Sequence, residues 1–183
     1  SLYWPEFGRF NKNQIKVRHV LSHWCGVWSN ENSKPGDIYN VSAMREAITN
    51  QIPDWQAGTK GAYNTINIGF ICDAIVENIS GKTIQMFIKD EIARPLNLRY
   101  YLGVPDEELG LCAEIIANPA DAIHEAKNDP NSQVKRAWRA FPANFGVAEQ
   151  NSLKFKKAGI PSFGGFGDAR SMAKLYAVLS NGG

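Results

Sequence analysis

A tyrosine standing alone in a polar loop, directly ahead of a strongly apolar stretch, is the residue of this chain best placed to do chemistry. It is Tyr63, within Thr59-Lys-Gly-Ala-Tyr-Asn-Thr65, and an apolar stripe begins at Ile68. A free phenol titrates near ~10, so a tyrosine acts as a base at neutral pH only where cations lower that value or where it relays a proton to a neighbouring amine. Proton transfer is therefore the chemistry to expect. The other candidates have blander readings. His19 and His23 are i and i+4, a spacing that would set two imidazoles on one helix face as metal ligands, but no third ligand follows at a usable spacing. No metal site is expected. Asp106, Glu107 and Glu108 read as favourable charges at the positive end of a helix dipole, not as a catalytic carboxylate pair. His124 reads as structural. The glycines of Phe163-Gly-Gly-Phe-Gly167 lack the context of a phosphate loop, and no cofactor is expected.

The elements that must position Tyr63 follow from periodicity. Ile68, Ile71, Cys72, Ile75, Val76 and Ile79 recur at three- and four-residue spacing, the stripe of a helix packed on a core, with Asp73, Glu77 and Asn78 on the other side. Gly81 stands where a left-handed helix end favours glycine. Thr83 then caps a second helix carrying Ile84, Phe87, Ile88 and Ile92, and Pro95 stops it. Ile15 to His23 is a short helical candidate, and Ser42 caps a helix to about Gln51 with Ala43, Ala47 and Ile48 inward. Ser29 to Asn40 is loop, turning at Pro35-Gly36. Tyr100 to Gly103 is a short extended piece, Asp106 to Glu108 open a helix, and Asn118-Pro119 opens another to about Lys127. Asp168 caps a last helix with Met172, Leu175, Tyr176 and Leu179 inward. Asp129 to Gly159 is turn-rich and carries Trp138, Phe141, Phe145 and Phe155, which suits a loop lining a pocket as well as an ordinary packed loop. Nearly every period is helical, so the fold is expected to be mainly α with few short strands.

Gly61 to Phe70, the Ile79-Ser-Gly-Lys82 turn and Ile92-Ala-Arg-Pro-Leu-Asn-Leu98 together resemble the serine β-lactamase-related family, which includes class C β-lactamases, penicillin-binding D,D-peptidases and β-lactamase-like esterases. Trp4-Pro-Glu-Phe7, Val17 to His23 and Gly165 to Gly183 look like further blocks of that family in the same order, so the resemblance spans nearly the whole chain. Pro53 to Thr59 resembles the family's approach to its tyrosine, with Ala57-Gly58-Thr59 in place of Pro-Gly-Thr. In that family a Ser-x-x-Lys pair supplies the nucleophile, a Tyr-x-Asn motif supplies a base or proton relay, and a later strand motif with Lys or His completes the pocket. The resemblance implies that Tyr63 is catalytic, that Asn64 and Thr65 bind substrate, and that the other two motifs lie upstream and downstream of this chain. Residues 1–183 would then be a single partial domain, the helical lobe of the β-lactamase/D,D-peptidase-like α+β fold. The implied reaction is acyl transfer through an acyl-enzyme on a small-molecule ester or amide, and this chain by itself is expected to be inactive. Thr65 stands where the motif usually has Asn, which moves the expectation toward esters. Ser132-Gln-Val-Lys135 and Ser171-Met-Ala-Lys174 both follow Tyr63; with eleven serines and twelve lysines roughly one such string arises by chance, and neither is taken as the nucleophile. A non-catalytic scaffold or self-association module descended from the same family is the alternative, and an upstream Ser-x-x-Lys would decide against it.

Composition excludes other classes. At 44% apolar and 21% charged, with a net charge of +2, the chain is ordinary for a globular domain and carries no basic run longer than Lys154, Lys156 and Lys157, which read as a solvated face. No nucleic-acid partner is expected. No apolar segment reaches the ~18 residues of a membrane span. Cys25, Cys72 and Cys112 make neither a disulfide framework nor a zinc pattern, and Cys72 lies on the apolar stripe. Leu2, Tyr3, Trp4, Phe7 and Phe10 are too aromatic for a free tail, and remaining parts of the parent domain are expected to pack on Trp4, Phe7 and Phe10.

Overall fold

Helices dominate the computed structural model, which describes residues 2–116 and 132–182. They are α1 (Val17–Leu21), α2 (Val41–Asn50), α3 (Asn67–Ser80), α4 (Ile84–Phe87), α5 (Gln133–Ala137), α6 (Val147–Gln150), α7 (Leu153–Ala158) and α8 (Ala169–Ser180), with short 3-10 turns such as Pro5–Gly8 and Asp106–Leu111 between them. The strands β1 (Tyr100–Leu102) and β2 (Gly165–Gly167) pair antiparallel, Tyr101 opposite Phe166. The helix expected from Asn118-Pro119 to about Lys127, with His124, lies outside the described residues.

Of the stripe read from Ile68 onward, Ile71 is buried, Ile68, Cys72, Ile75 and Val76 are half-buried and Ile79 faces solvent; Phe70 and Ala74, outside that stripe, are no more than 1% exposed, so the buried face is turned toward them. Helix α3 ends at Gly81, whose φ of 73° is the left-handed cap. Two assignments on this pair of helices need correction. Ser42 does not cap α2; Asn40 does, accepting from the Ala43 N–H at 3.1 Å, so the helix begins two residues earlier. Asp73 does not face water. Its carboxylate is buried, pairs with Arg45 of α2 at 2.7 Å and accepts from the Ile84 N–H at 3.0 Å, tying α2 and the start of α4 to α3. Thr83 caps α4 as expected, accepting from the Met86 N–H, and the chain then widens into a single π-helical stretch, Ile88–Ala93, before Pro95.

The aromatic residues after Asp129 are core, not a pocket lining. Phe141, Phe145 and Phe155 are at most 4% exposed; Phe141 and Phe145 lie 4.2 Å apart, and the Phe163 ring meets Phe141 edge-on at 5.7 Å. Helices α5 to α7 span only four to six residues each, too short for a period of 3.6 to show in the sequence. At the other end, Trp4 and Phe7 stack at 5.2 Å and are buried within this chain, whereas Phe10 is about half exposed at a φ of 54°. Within α8, Met172 and Leu175 are partly buried, but Tyr176 and Leu179 face solvent at 64% and 63% exposure, so its expected inward face is only half covered.

Lys12 is fully buried, and its ammonium donates to the main-chain carbonyls of Thr49 and Gln51 at 2.8 and 2.5 Å, where α2 ends. A cation there meets the negative end of the helix dipole. Burial, with Arg9 nearby, nevertheless pulls its pKa from the ordinary 10.5 down to about 8. Below about pH 8 Lys12 is charged in the folded and unfolded states alike, and the folded state bears the full cost of desolvation. Between about 8 and 10.5 the unfolded state binds more protons, so this residue's contribution to stability rises with pH. Urea unfolding should show wild type gaining on Lys12→Met across that window; a flat difference would contradict the burial. Removing the buried carboxylate, Asp73→Ala, leaves Arg45 to Glu77 alone and strands the Ile84 N–H, and should cost about 1–3 kcal/mol in the same measurement.

Candidate functional site

Two loops build the surface around Tyr63. Residues 23–29 run beside residues 54–64, joined by main-chain bonds from Asp54 N–H to the Gly26 carbonyl (2.8 Å), from Gly58 N–H to the Trp24 carbonyl (2.9 Å) and from Ala62 N–H to the His23 carbonyl (3.1 Å). Gly26 is required here: its φ is 78°, and a Cβ would fall 2.0 Å from the Trp55 carbonyl oxygen. Asp54 closes the far end of the pairing by accepting from the Trp28 N–H at 3.2 Å, the Ser29 N–H at 2.8 Å and the Ser29 hydroxyl at 2.8 Å. Arg136 reaches across to Asp54 at 3.0 Å and also pairs with Glu31, fastening α5 to these loops.

The start of α3 is tied to the same loops by two buried carboxamides. The Asn64 Oδ1 accepts from the Asn67 N–H at 3.0 Å and so serves a first-turn amide that Ile66 has no side chain to cap. The Asn64 Nδ2 donates to the Val27 carbonyl at 2.8 Å and lies 3.7 Å from the Cys25 sulfur. The Asn67 Nδ2 bridges the carbonyls of Val27 and Ser29, both at 3.1 Å, while its Oδ1 has no partner among the described residues. Burial raises the Cys25 thiol above its usual range, so this sulfur stays protonated and packs as core.

Tyr63 therefore comes off a rigid mount. Its own carbonyl accepts from the Trp28 indole N–H at 3.0 Å, and the amide that follows it, Asn64 N–H, donates to His23 Nδ1 at 3.0 Å. Its ring packs on the imidazole of His23, centroids 4.6 Å apart, and is otherwise 72% exposed. The phenol hydroxyl makes no hydrogen bond among the described residues. Thr65 is half-buried with a hydroxyl equally unengaged. Asn64, expected to face substrate, is turned the other way: it is 2% exposed, and both ends of its amide are used inside the fold.

The remaining sequence candidates fall elsewhere. His19 and His23 do not form a ligand pair, because α1 ends at Leu21 and His23 has left the helix at a φ of 61°; its Nδ1 is committed to Asn64 and that of His19 to the Lys16 N–H. No group of three metal-ligating side chains occurs among the described residues. Ser132 caps α5, and Ser171, buried, accepts from the Arg99 N–H at 2.8 Å, while Lys135 and Lys174 are exposed, so neither serine has the setting of an activated nucleophile. Trp28, whose indole holds the Tyr63 carbonyl, also lines a cleft of about 490 Å³ with Glu31, Asp54, Trp55, Lys60 and Arg136 on its walls; Tyr63 itself does not line it. Sequence reasoning missed His23 and Trp28 as supports of Tyr63, since 40 and 35 residues separate them from it and no local period records such contacts.

Comparison with known proteins settles the family. A family model described as Beta-lactamase matches residues 1–183. The chain belongs to the serine β-lactamase-related family. Among curated relatives, an esterase/beta-lactamase LipL of Mycobacterium tuberculosis is 26% identical over 99% of this chain and 44% of its own length, and an N-acetylmuramyl-L-alanine amidase of Bacillus subtilis is 25% identical over 94% and 39%. Among solved structures, EstA from Arthrobacter nitroguajacolicus superposes with a TM-score of 0.81 at 28% identity, over 96% of this chain and 47% of that one, and a family VIII carboxylesterase with 0.84 at 25%, over 99% and 47%. The chain thus spans less than half the length of these relatives. Among the described residues no helix is long and apolar enough to cross a membrane.

Because both loops hang on the two carboxamides, Asn67→Leu should strand the Ser29 carbonyl, leave the Val27 carbonyl to Asn64 alone, and cost about 1–3 kcal/mol in chemical unfolding. A variant as stable as wild type would show that these bonds do not support the site.

Proposed function

We propose that this chain is the helical part of a serine hydrolase domain that forms and hydrolyses an acyl-enzyme, and that Tyr63 moves the proton in both halves of the reaction. The observation that carries the reading is the contrast at Tyr63 itself. The main chain around it is fixed by His23 and Trp28, while the phenol hydroxyl is free and open to whatever faces this surface. A general acid or base needs that combination: a defined position and an uncommitted proton site within hydrogen-bond reach of its partner.

The serine and the lysine belong to the part of the relatives' length that this chain does not span. The serine oxygen attacks the ester carbonyl, and its proton passes through Tyr63 and the lysine to the departing alkoxide, which leaves as the alcohol. Water then attacks the acyl-serine, giving its proton back along the same relay, and the acid is released with the serine restored. Thr65, with its hydroxyl unengaged, is the substrate-facing residue of the motif. A hydroxyl in place of a carboxamide supplies less to an amide or lactam, so esters are the better substrates. Esterase names among the relatives support the same choice.

The test is hydrolysis of a p-nitrophenyl ester and of a chromogenic lactam by the complete parent protein. The ester should be turned over faster, Tyr63→Phe should lower kcat by roughly 10²–10⁴-fold, and Ser132→Ala should leave it unchanged. The 183-residue chain alone should show no measurable rate. An inert parent would favour the scaffold reading, and activity lost with Ser132→Ala would place the nucleophile in this chain.

A further inference from the structure

We infer that His23 is the positioning residue of Tyr63, setting the angle of the phenol without itself accepting a proton; the assignment rests on the reading of Tyr63 as the proton-moving group. Three consecutive residues meet this one histidine through three different parts of it. The Ala62 N–H donates to its main-chain carbonyl at 3.1 Å, the Asn64 N–H donates to its Nδ1 at 3.0 Å, and the Tyr63 ring packs on its imidazole at 4.6 Å with 45° between the planes. Trp28 adds one bond to the Tyr63 carbonyl. Among the described residues the imidazole is the only ring in contact with that of Tyr63.

His23 reaches all three because its main chain is left-handed, φ 61°, a region that histidine, asparagine and aspartate enter more readily than other non-glycine residues. The bond from Asn64 also fixes the chemistry of the ring. With Nδ1 accepting, its lone pair is spent, and the proton of the neutral imidazole sits on Nε2. Nδ1 is thus unavailable as a base for the reaction, and the ring's task is orientation. Orientation carries weight here because Tyr63 is largely exposed and the rest of its ring is free to turn. Displacing a reacting group by about 1 Å lowers rates on the order of 10²-fold, so a phenol released from its rest loses relay function while substrate binding is hardly touched.

The test is a double-mutant cycle on the complete parent protein, read as kcat and KM for the p-nitrophenyl ester. His23→Ala, which removes both acceptor and ring, should lower kcat by roughly 10–100-fold with KM nearly unmoved. In a Tyr63→Phe background the same substitution should add no further loss, because there is no relay left to orient. His23→Asn keeps an acceptor near the Nδ1 position and tolerates the left-handed main chain, so it should recover most of the kcat lost in His23→Ala. If His23→Ala does not fold, His23→Asn takes its place in the cycle, and its smaller loss must likewise vanish in the Tyr63→Phe background. Equal losses in both backgrounds would make His23 a general structural residue and overturn the inference. So would a normal kcat in His23→Ala alongside a crippled Tyr63→Phe. Full activity in Tyr63→Phe would instead overturn the reading of Tyr63 on which the inference rests.

Discussion

The arrangement depends on two buried amide side chains, Asn64 and Asn67, that stand between a helix start and a loop with no regular structure of its own. Cys25, Gly26, Val27 and Ser29 are buried but belong to no strand, so their carbonyls need partners that secondary structure does not provide. Asn64 and Asn67 provide them, and Asn64 at the same time serves the first amide of α3. A hydrophobic side chain at Asn67 would strand the Ser29 carbonyl and one at Asn64 the Asn67 N–H, each at a cost comparable to a few packed methylene groups. The motif around Tyr63 is therefore divided between two tasks. The amide next to the tyrosine holds the scaffold, while the phenol and the Thr65 hydroxyl remain free.

Charge is used inside this fold in the same way, as a fastener between elements. Lys12 joins the N-terminal turns to the end of α2, Asp73 joins α3 to α2 and α4, and Asp54 joins residues 28 and 29 to α5 through Arg136. Each of these groups sits at a junction that apolar packing alone would leave loosely specified. Every one also takes at least two partners, as a buried charge must if its desolvation is to be offset.

Legibility in the sequence followed range. Helix α3, its glycine cap and the Thr83 cap were visible because each is decided within four or five residues. Asp73 was misplaced for the opposite reason: on a helical wheel it lies with Glu77 and Asn78, and only the arrival of Arg45 from α2 explains its burial. The aromatic cluster of Phe141, Phe145, Phe155 and Phe163 was ambiguous because its rings come from short helices and turns whose union is purely tertiary. At the candidate site, the isolation of Tyr63 and the family blocks around it were legible, and its exposed ring fits that isolation. The inward turn of Asn64 was not, since a polar residue beside a candidate tyrosine reads alike whether it meets a ligand or a carbonyl some 37 residues away.

These ranges bear on how the surface around Tyr63 can work. A side chain 72% exposed would ordinarily sample several rotamers, and a proton relay that samples rotamers is slow. Here the freedom is removed from below. The carbonyl of Tyr63, the amide on either side of it and one face of its ring are each held by residues 23–28, and that segment is held in turn by Asn64, Asn67 and Asp54. On the proposed reading, the phenol oxygen can therefore stay open to a facing nucleophile and substrate while the main chain behind it is held. The energy that fixes it comes from buried hydrogen bonds a residue or more removed from the reacting atom. If Tyr63 moves a proton as proposed, substitutions in the loop of residues 23–29 should accordingly act on its rate through geometry, because none of these contacts reaches the phenol oxygen.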